Sequence, residues 1–114
     1  LNVSSVLSMM PAPAAAVYGA TKAFINSFSE ALDVELQAKG IRVLTACPGR
    51  VATQFAKRAS KGQLPIRPSK GMILDAKNVA KDILKQIDSK NPFKIIDWRY
   101  RLLLLSRKLV PRGW

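Results

Sequence analysis

The 114-residue chain has no histidine, one cysteine and only 7 acidic residues against 19 basic ones. No histidine is available as a metal ligand, and no cluster of cysteines or carboxylates has ligand spacing, so no metal site is expected. The lone Cys47 excludes an internal disulfide and fits a reducing cytoplasm. It reads as a small buried residue at a strand end rather than a nucleophile. Glycines stand apart at positions 19, 40, 49, 62, 71 and 113, so the sequence contains no glycine-rich turn of the Gly-x-x-x-Gly-x-Gly kind. No apolar run approaches the ~20 residues that a membrane-spanning helix needs. The scarcity of acid leaves a formal charge of +12, which alone would suit nucleic acid or an anionic surface. The basic residues are spread over several loops and the tail without a nucleic-acid motif, so no nucleic-acid partner is expected.

What the chain does have is a hydroxyl, a phenol and an ammonium arranged around the start of a long helix. Helix formers dominate from Ala16 to Lys39, and Gly40 supplies a stop. Tyr18 and Lys22 then stand at i and i+4, one turn apart on one face. A phenol titrates near pH ~10 unless a nearby cation favours its ionised form. Lys22 is placed to be that cation. Ser5, at the carboxyl end of a strand expected over Leu1–Leu7, could hold the oxygen on which a proton is exchanged. Its neighbour Ser4 would point to the other side of that strand.

The rest reads as alternating elements. Ser8 to Pro13 is a loop, with Met9 and Met10 lining a pocket or filling the core. The helix is expected to bury Ala20, Ala23, Phe24, Phe28, Ala31, Leu32 and Leu36, leaving Ser27, Glu30, Asp33 and Lys39 solvated or interfacial. A strand over Ile41–Ala46 follows, then a turn at Pro48-Gly49 and a mobile segment from Gln54 to Leu74. A helix over Asp75–Asp88 and a strand over Phe93–Ile96 complete one α/β domain spanning 1–114, whose final residues, 98–114, form a basic apolar tail.

Asn2-Val3-Ser4-Ser5, then Tyr18-x-x-x-Lys22 thirteen residues past Ser5, then Cys47-Pro48-Gly49-Arg50-Val51-Ala52-Thr53 make up an ordered set. In this the chain resembles the classical short-chain dehydrogenases/reductases, over about the carboxyl-terminal half of a typical member. The resemblance implies the later part of a Rossmann-like, doubly wound parallel sheet, with the dinucleotide-binding amino-terminal half missing from this sequence. It implies an NAD(P)-dependent enzyme interconverting an alcohol and a carbonyl compound. Catalysis would fall to Ser5, Tyr18 and Lys22. The cofactor would lie against Tyr18, Lys22, Pro48, Gly49, Val51 and Thr53, with NADP slightly preferred over NAD, although the residues that distinguish them lie outside this chain. The family's long helix commonly packs on a partner subunit, which implies a homo-oligomer. One departure is Ser8, where the family commonly has a glycine.

The competing reading is a truncated, non-catalytic piece with a structural or partner-binding role, which the absent glycine-rich turn favours and the intact Ser5, Tyr18 and Lys22 oppose. The substrate of the enzyme reading is a small, apolar alcohol or carbonyl compound, since Met9, Met10 and Phe55 lean apolar. The expected location is cytoplasmic, with peripheral membrane contact through the tail as an alternative to packing within the domain.

Overall fold

A computed structural model describes residues 1–55, 58 and 70–109. Three short parallel strands form its sheet: β1 (Asn2–Val3), β2 (Thr45–Cys47) and β3 (Phe93–Ile95), in the order β1-β2-β3. Asn2 lies opposite Thr45, and Thr45 opposite Phe93. Helix α1 (Ala16–Gln37) connects β1 to β2, helix α2 (Ala76–Ser89) connects β2 to β3, and helix α3 (Trp98–Leu109) follows β3. Parallel neighbours require such crossovers, and the sequence supplies them as strand, helix, strand.

The element boundaries have local causes. Gly40 takes a left-handed φ of 74° just beyond α1, where a side chain would be disfavoured. Asp75 caps α2 by accepting from the amide of Asn78 at 3.1 Å. Asp97 does the same for α3, accepting from the amide of Arg99 at 2.8 Å and from its guanidinium at 2.9 Å. The strands are shorter than the apolar runs suggest. The run from Leu1 is a regular strand only over Asn2–Val3 and turns into a 3₁₀ helix over Val6–Met9.

The apolar core gathers Val6, Ala46, Leu74, Val79, Ile96 and Tyr100, with Met9, Val51, Ile83 and Leu103 packed against it. Met9 therefore fills the core rather than lining a pocket. Gln86 is fully buried from α2, and its amide donates to the carbonyls of Thr45 at 2.9 Å and Asn91 at 3.0 Å, fastening the helix to the strands.

The burial expected for α1 is corrected. Phe24 and Phe28 are 69% and 51% exposed and stack on each other, with ring centroids 5.8 Å apart. Ala20 and Ala31 are exposed as well, whereas Ser29 and Asp33 are buried. The cause is the close approach of helix and sheet. Ser29 is small enough to meet Asn2, whose amide donates to its hydroxyl at 2.9 Å. Asp33 accepts from Nε and Nη2 of Arg42, both at 2.9 Å, and from the amide of Val43 at 2.7 Å. A carboxylate that receives a bidentate guanidinium and a backbone donor has its charge compensated, so it can face the sheet. The phenylalanines are left outside. Of the segment from Gln54 to Leu74, only 54, 55, 58 and 70–74 lie within the described residues, and of the tail, 98–109.

Candidate active site

The candidate residues meet at the carboxyl ends of β1 and β2, where ligands of open α/β sheets bind. Pairing continues past both strands into the loops. The amide of Ser4 donates to the carbonyl of Ala46 at 2.8 Å, and that of Val6 to Pro48 at 3.1 Å. The Ser4–Ser5 segment and the Pro48 turn are thereby held side by side.

The two adjacent serines have separate tasks. The Ser4 hydroxyl donates to the carbonyl of Lys22 at 3.0 Å, pinning α1 to the strand. The Ser5 hydroxyl caps the 3₁₀ helix by accepting from the amide of Leu7 at 3.2 Å. Its carbonyl accepts from the Ser8 hydroxyl at 2.5 Å, and that hydroxyl in turn accepts from the Asn26 amide at 2.7 Å. The Ser8 hydroxyl thus bridges the Ser5 turn to α1. Asn26 was not singled out from the sequence. Its signal is weak, a polar side chain one turn beyond Lys22.

The Lys22 ammonium donates to the carbonyl of Val3 at 3.0 Å and lies 5.7 Å from the centroid of the Tyr18 ring. The ring is half-buried and meets Phe55 at a centroid distance of 6.1 Å. Among the described residues no hydrogen bond joins the Tyr18 hydroxyl to Ser5, so the phenol's polar end is not committed to a protein partner there. Lys22 and Tyr18 are brought together, and Ser5 stands two residues beyond the carbonyl that anchors the lysine.

Pro48 is buried and Gly49 half-buried. A Cβ on Gly49 would fall 2.0 Å from the ring of Tyr100, so the domain's own packing accounts for this glycine. The Tyr100 hydroxyl accepts from the amide of Arg50 at 3.0 Å and donates to the carbonyl of Met72 at 2.5 Å. Val51 bridges in parallel to Leu74, and Thr53 is exposed, its hydroxyl accepting from the amide of Phe55 at 3.3 Å. Thr53, Gln54, Phe55 and Arg58 line an open groove of about 670 Å³ next to Tyr18. Cys47 lies beneath, its thiol donating to Oδ1 of Asn26 at 3.7 Å, and burial raises its pKa. A protonated, buried thiol is a poor nucleophile.

Residues 1–64 match the model of the short chain dehydrogenases. The chain belongs to that family. Very-long-chain 3-oxoacyl-CoA reductases share part of it: the enzyme of Rattus norvegicus is 49% identical and that of Mus musculus 47% identical, each over 57 residues. That stretch is 50% of this chain and 18% of either relative. Among solved structures, a short-chain dehydrogenase from Sphingobium yanoikuyae in complex with NADPH superposes on 94% of the chain, with a TM-score of 0.71 and 26% identity. One from Burkholderia cenocepacia in complex with NADP covers 97%, with a TM-score of 0.76 and 19% identity. The chain spans 42% and 44% of those two structures.

Proposed function

We propose that the protein containing this chain is an NAD(P)-dependent oxidoreductase interconverting an alcohol and a carbonyl compound. The observation that carries the reading is the Lys22 ammonium, anchored at 3.0 Å on the Val3 carbonyl and one helical turn from the Tyr18 phenol at the carboxyl edge of the sheet. Such a pairing sets a cation and a hydroxyl able to exchange a proton at one edge of the sheet. The residues fit a nicotinamide: an ammonium for the ribose, backbone groups of Pro48 to Val51 along one side, and the exposed Thr53 hydroxyl. When bound, the nicotinamide supplies or accepts the hydride. In carbonyl reduction Tyr18 gives its proton to the oxygen of the substrate as the carbonyl carbon receives the hydride. Ser5 holds that oxygen, and Lys22 steadies the resulting phenolate. In oxidation each transfer reverses.

The groove lined by Phe55 suits an apolar carbonyl compound, and the kinship with 3-oxoacyl-CoA reductases makes 3-oxoacyl thioesters the first substrates to test. NADP is the cofactor to try first, given the bound cofactors of the two similar structures. The stacked, exposed Phe24 and Phe28 favour a homo-oligomer closed through α1. The test uses the full-length protein. Tyr18→Phe should lower kcat by ~10²–10⁴-fold, the range for a positioned general acid/base, while cofactor affinity stays near wild type. Lys22→Met should weaken cofactor binding as well. A Tyr18→Phe enzyme with wild-type kcat would remove Tyr18 from the reaction, and no turnover or cofactor binding by the intact protein would leave the structural role.

A further inference from the structure

Helix α3 is apolar on two opposite sides. Tyr100 and Leu103 belong to the core side. Trp98, Leu102 and Leu105, spaced i, i+4 and i+7, form a second stripe that is 67%, 58% and 58% exposed. The second is rimmed by positive charge, with Arg101 and Lys108 exposed beside it. Helix α3 contains no acidic residue.

Helix α1 makes the contrast. It also exposes apolar side chains, Phe24 and Phe28, but it carries Glu30, Asp33 and Glu35 against Lys22 alone. Both faces are exposed, yet only α3 combines a tryptophan-led apolar stripe with a cationic rim. Position separates them further. Any chain preceding Leu1 enters the sheet at β1, whereas α3 follows β3 at the far edge, two interstrand spacings or ~10 Å away. No described helix is long and apolar enough to cross a membrane.

We propose that the Trp98–Leu102–Leu105 face of α3 docks on an anionic lipid surface, with the helix lying in the plane of the headgroups. Indole and leucine side chains would enter the acyl boundary while Arg101 and Lys108 meet lipid phosphates. The domain would then sit with β3 toward the membrane, leaving β1 and the stacked phenylalanines of α1 for protein contacts.

The experiment is co-sedimentation of the full-length protein with vesicles of phosphatidylcholine alone and of phosphatidylcholine mixed with phosphatidylglycerol. Binding to the mixed vesicles that weakens with salt is expected, with little to the neutral ones. Each of Arg101→Gln and Lys108→Gln should lower partitioning about fivefold. Leu102→Gln with Leu105→Gln should lower it at least tenfold. These side chains are exposed, so the far-UV spectrum and thermal midpoint should stay at wild type, and a milder pair, Leu102→Ala with Leu105→Ala, should still weaken binding. Absence of binding to the mixed vesicles overturns the proposal. So does equal binding to both vesicle types, or a glutamine pair that reduces the protein's oligomeric mass while leaving vesicle binding unchanged. Because no readout involves turnover, its failure is distinct from failure of the oxidoreductase reading.

Discussion

Removing one oxygen, in Tyr100→Phe, should loosen the Pro48-Gly49 turn of this domain without touching its apolar packing. Tyr100 is 6% exposed, and its hydroxyl bridges the Arg50 amide at 3.0 Å and the Met72 carbonyl at 2.5 Å. Phenylalanine keeps the ring against Gly49 and the core, so the transfer free energy hardly changes. What is lost is two hydrogen bonds, each contributing ~1 kcal/mol net, which gives a loss of about 2 kcal/mol. Urea denaturation of the full-length protein, followed by far-UV circular dichroism with a check that the slope is unchanged, measures it. If the proposed function holds, nicotinamide cofactor affinity should also fall several-fold, because that proposal sets Pro48 to Val51 beside the nicotinamide. A Tyr100→Phe protein within ~0.5 kcal/mol of wild type, the range of an unremarkable surface change, would refute the bridge. The companion test is Gly49→Ala, whose methyl meets the same ring. It should be strongly destabilising alone and much less so combined with Tyr100→Ala, a non-additivity that only direct contact produces.

Asp33 gives a pH-dependent prediction: hydrogen bonds from Arg42 and from the Val43 amide hold its carboxyl below the ordinary carboxylate range. Its stabilisation is therefore fully present above the unfolded value of about pH 4 and lost as pH falls through the lower folded value. Thermal midpoints against pH should fall less steeply for Asp33→Asn than for wild type in that acid window, and parallel profiles would show that the pair does not contribute. For the Ser8 bridge, Asn26→Ala should lower kcat about tenfold with little change in KM, by releasing the hydroxyl that holds the Ser5 carbonyl. Adding Ser8→Gly should cost little more, because the hydroxyl that Asn26 holds is then absent, whereas fully additive effects would mean that the two side chains do not act as a unit.

What could be read in the sequence was local or ordered. The Tyr18–Lys22 pair needs only helical spacing, and the Gly40 stop acts within a turn of where it stands. The long-range partners were not legible. Tyr100 lies fifty residues from the amide it accepts, and nothing in Trp98-Arg99-Tyr100 distinguishes a bridging tyrosine from an interfacial one. The orientation of α1 was misjudged for a related reason. A helix carrying both an apolar i, i+4 pair and a small or compensated polar stripe has two credible inner faces, and hydrophobicity favours the wrong one. The choice is made elsewhere, by Asn2 on β1 and by Arg42 and Val43 at the entry to β2. Those three residues rotate α1 so that Lys22 reaches the Val3 carbonyl and Tyr18 faces the groove. If Phe24 and Phe28 faced the sheet instead, the i and i+4 geometry of Tyr18 and Lys22 would survive intact and point away from Ser5. The spacing of a motif thus sets only the relation of its members to each other. Their relation to the serine depends on a carboxylate, Asp33, that the sequence left as solvated or interfacial.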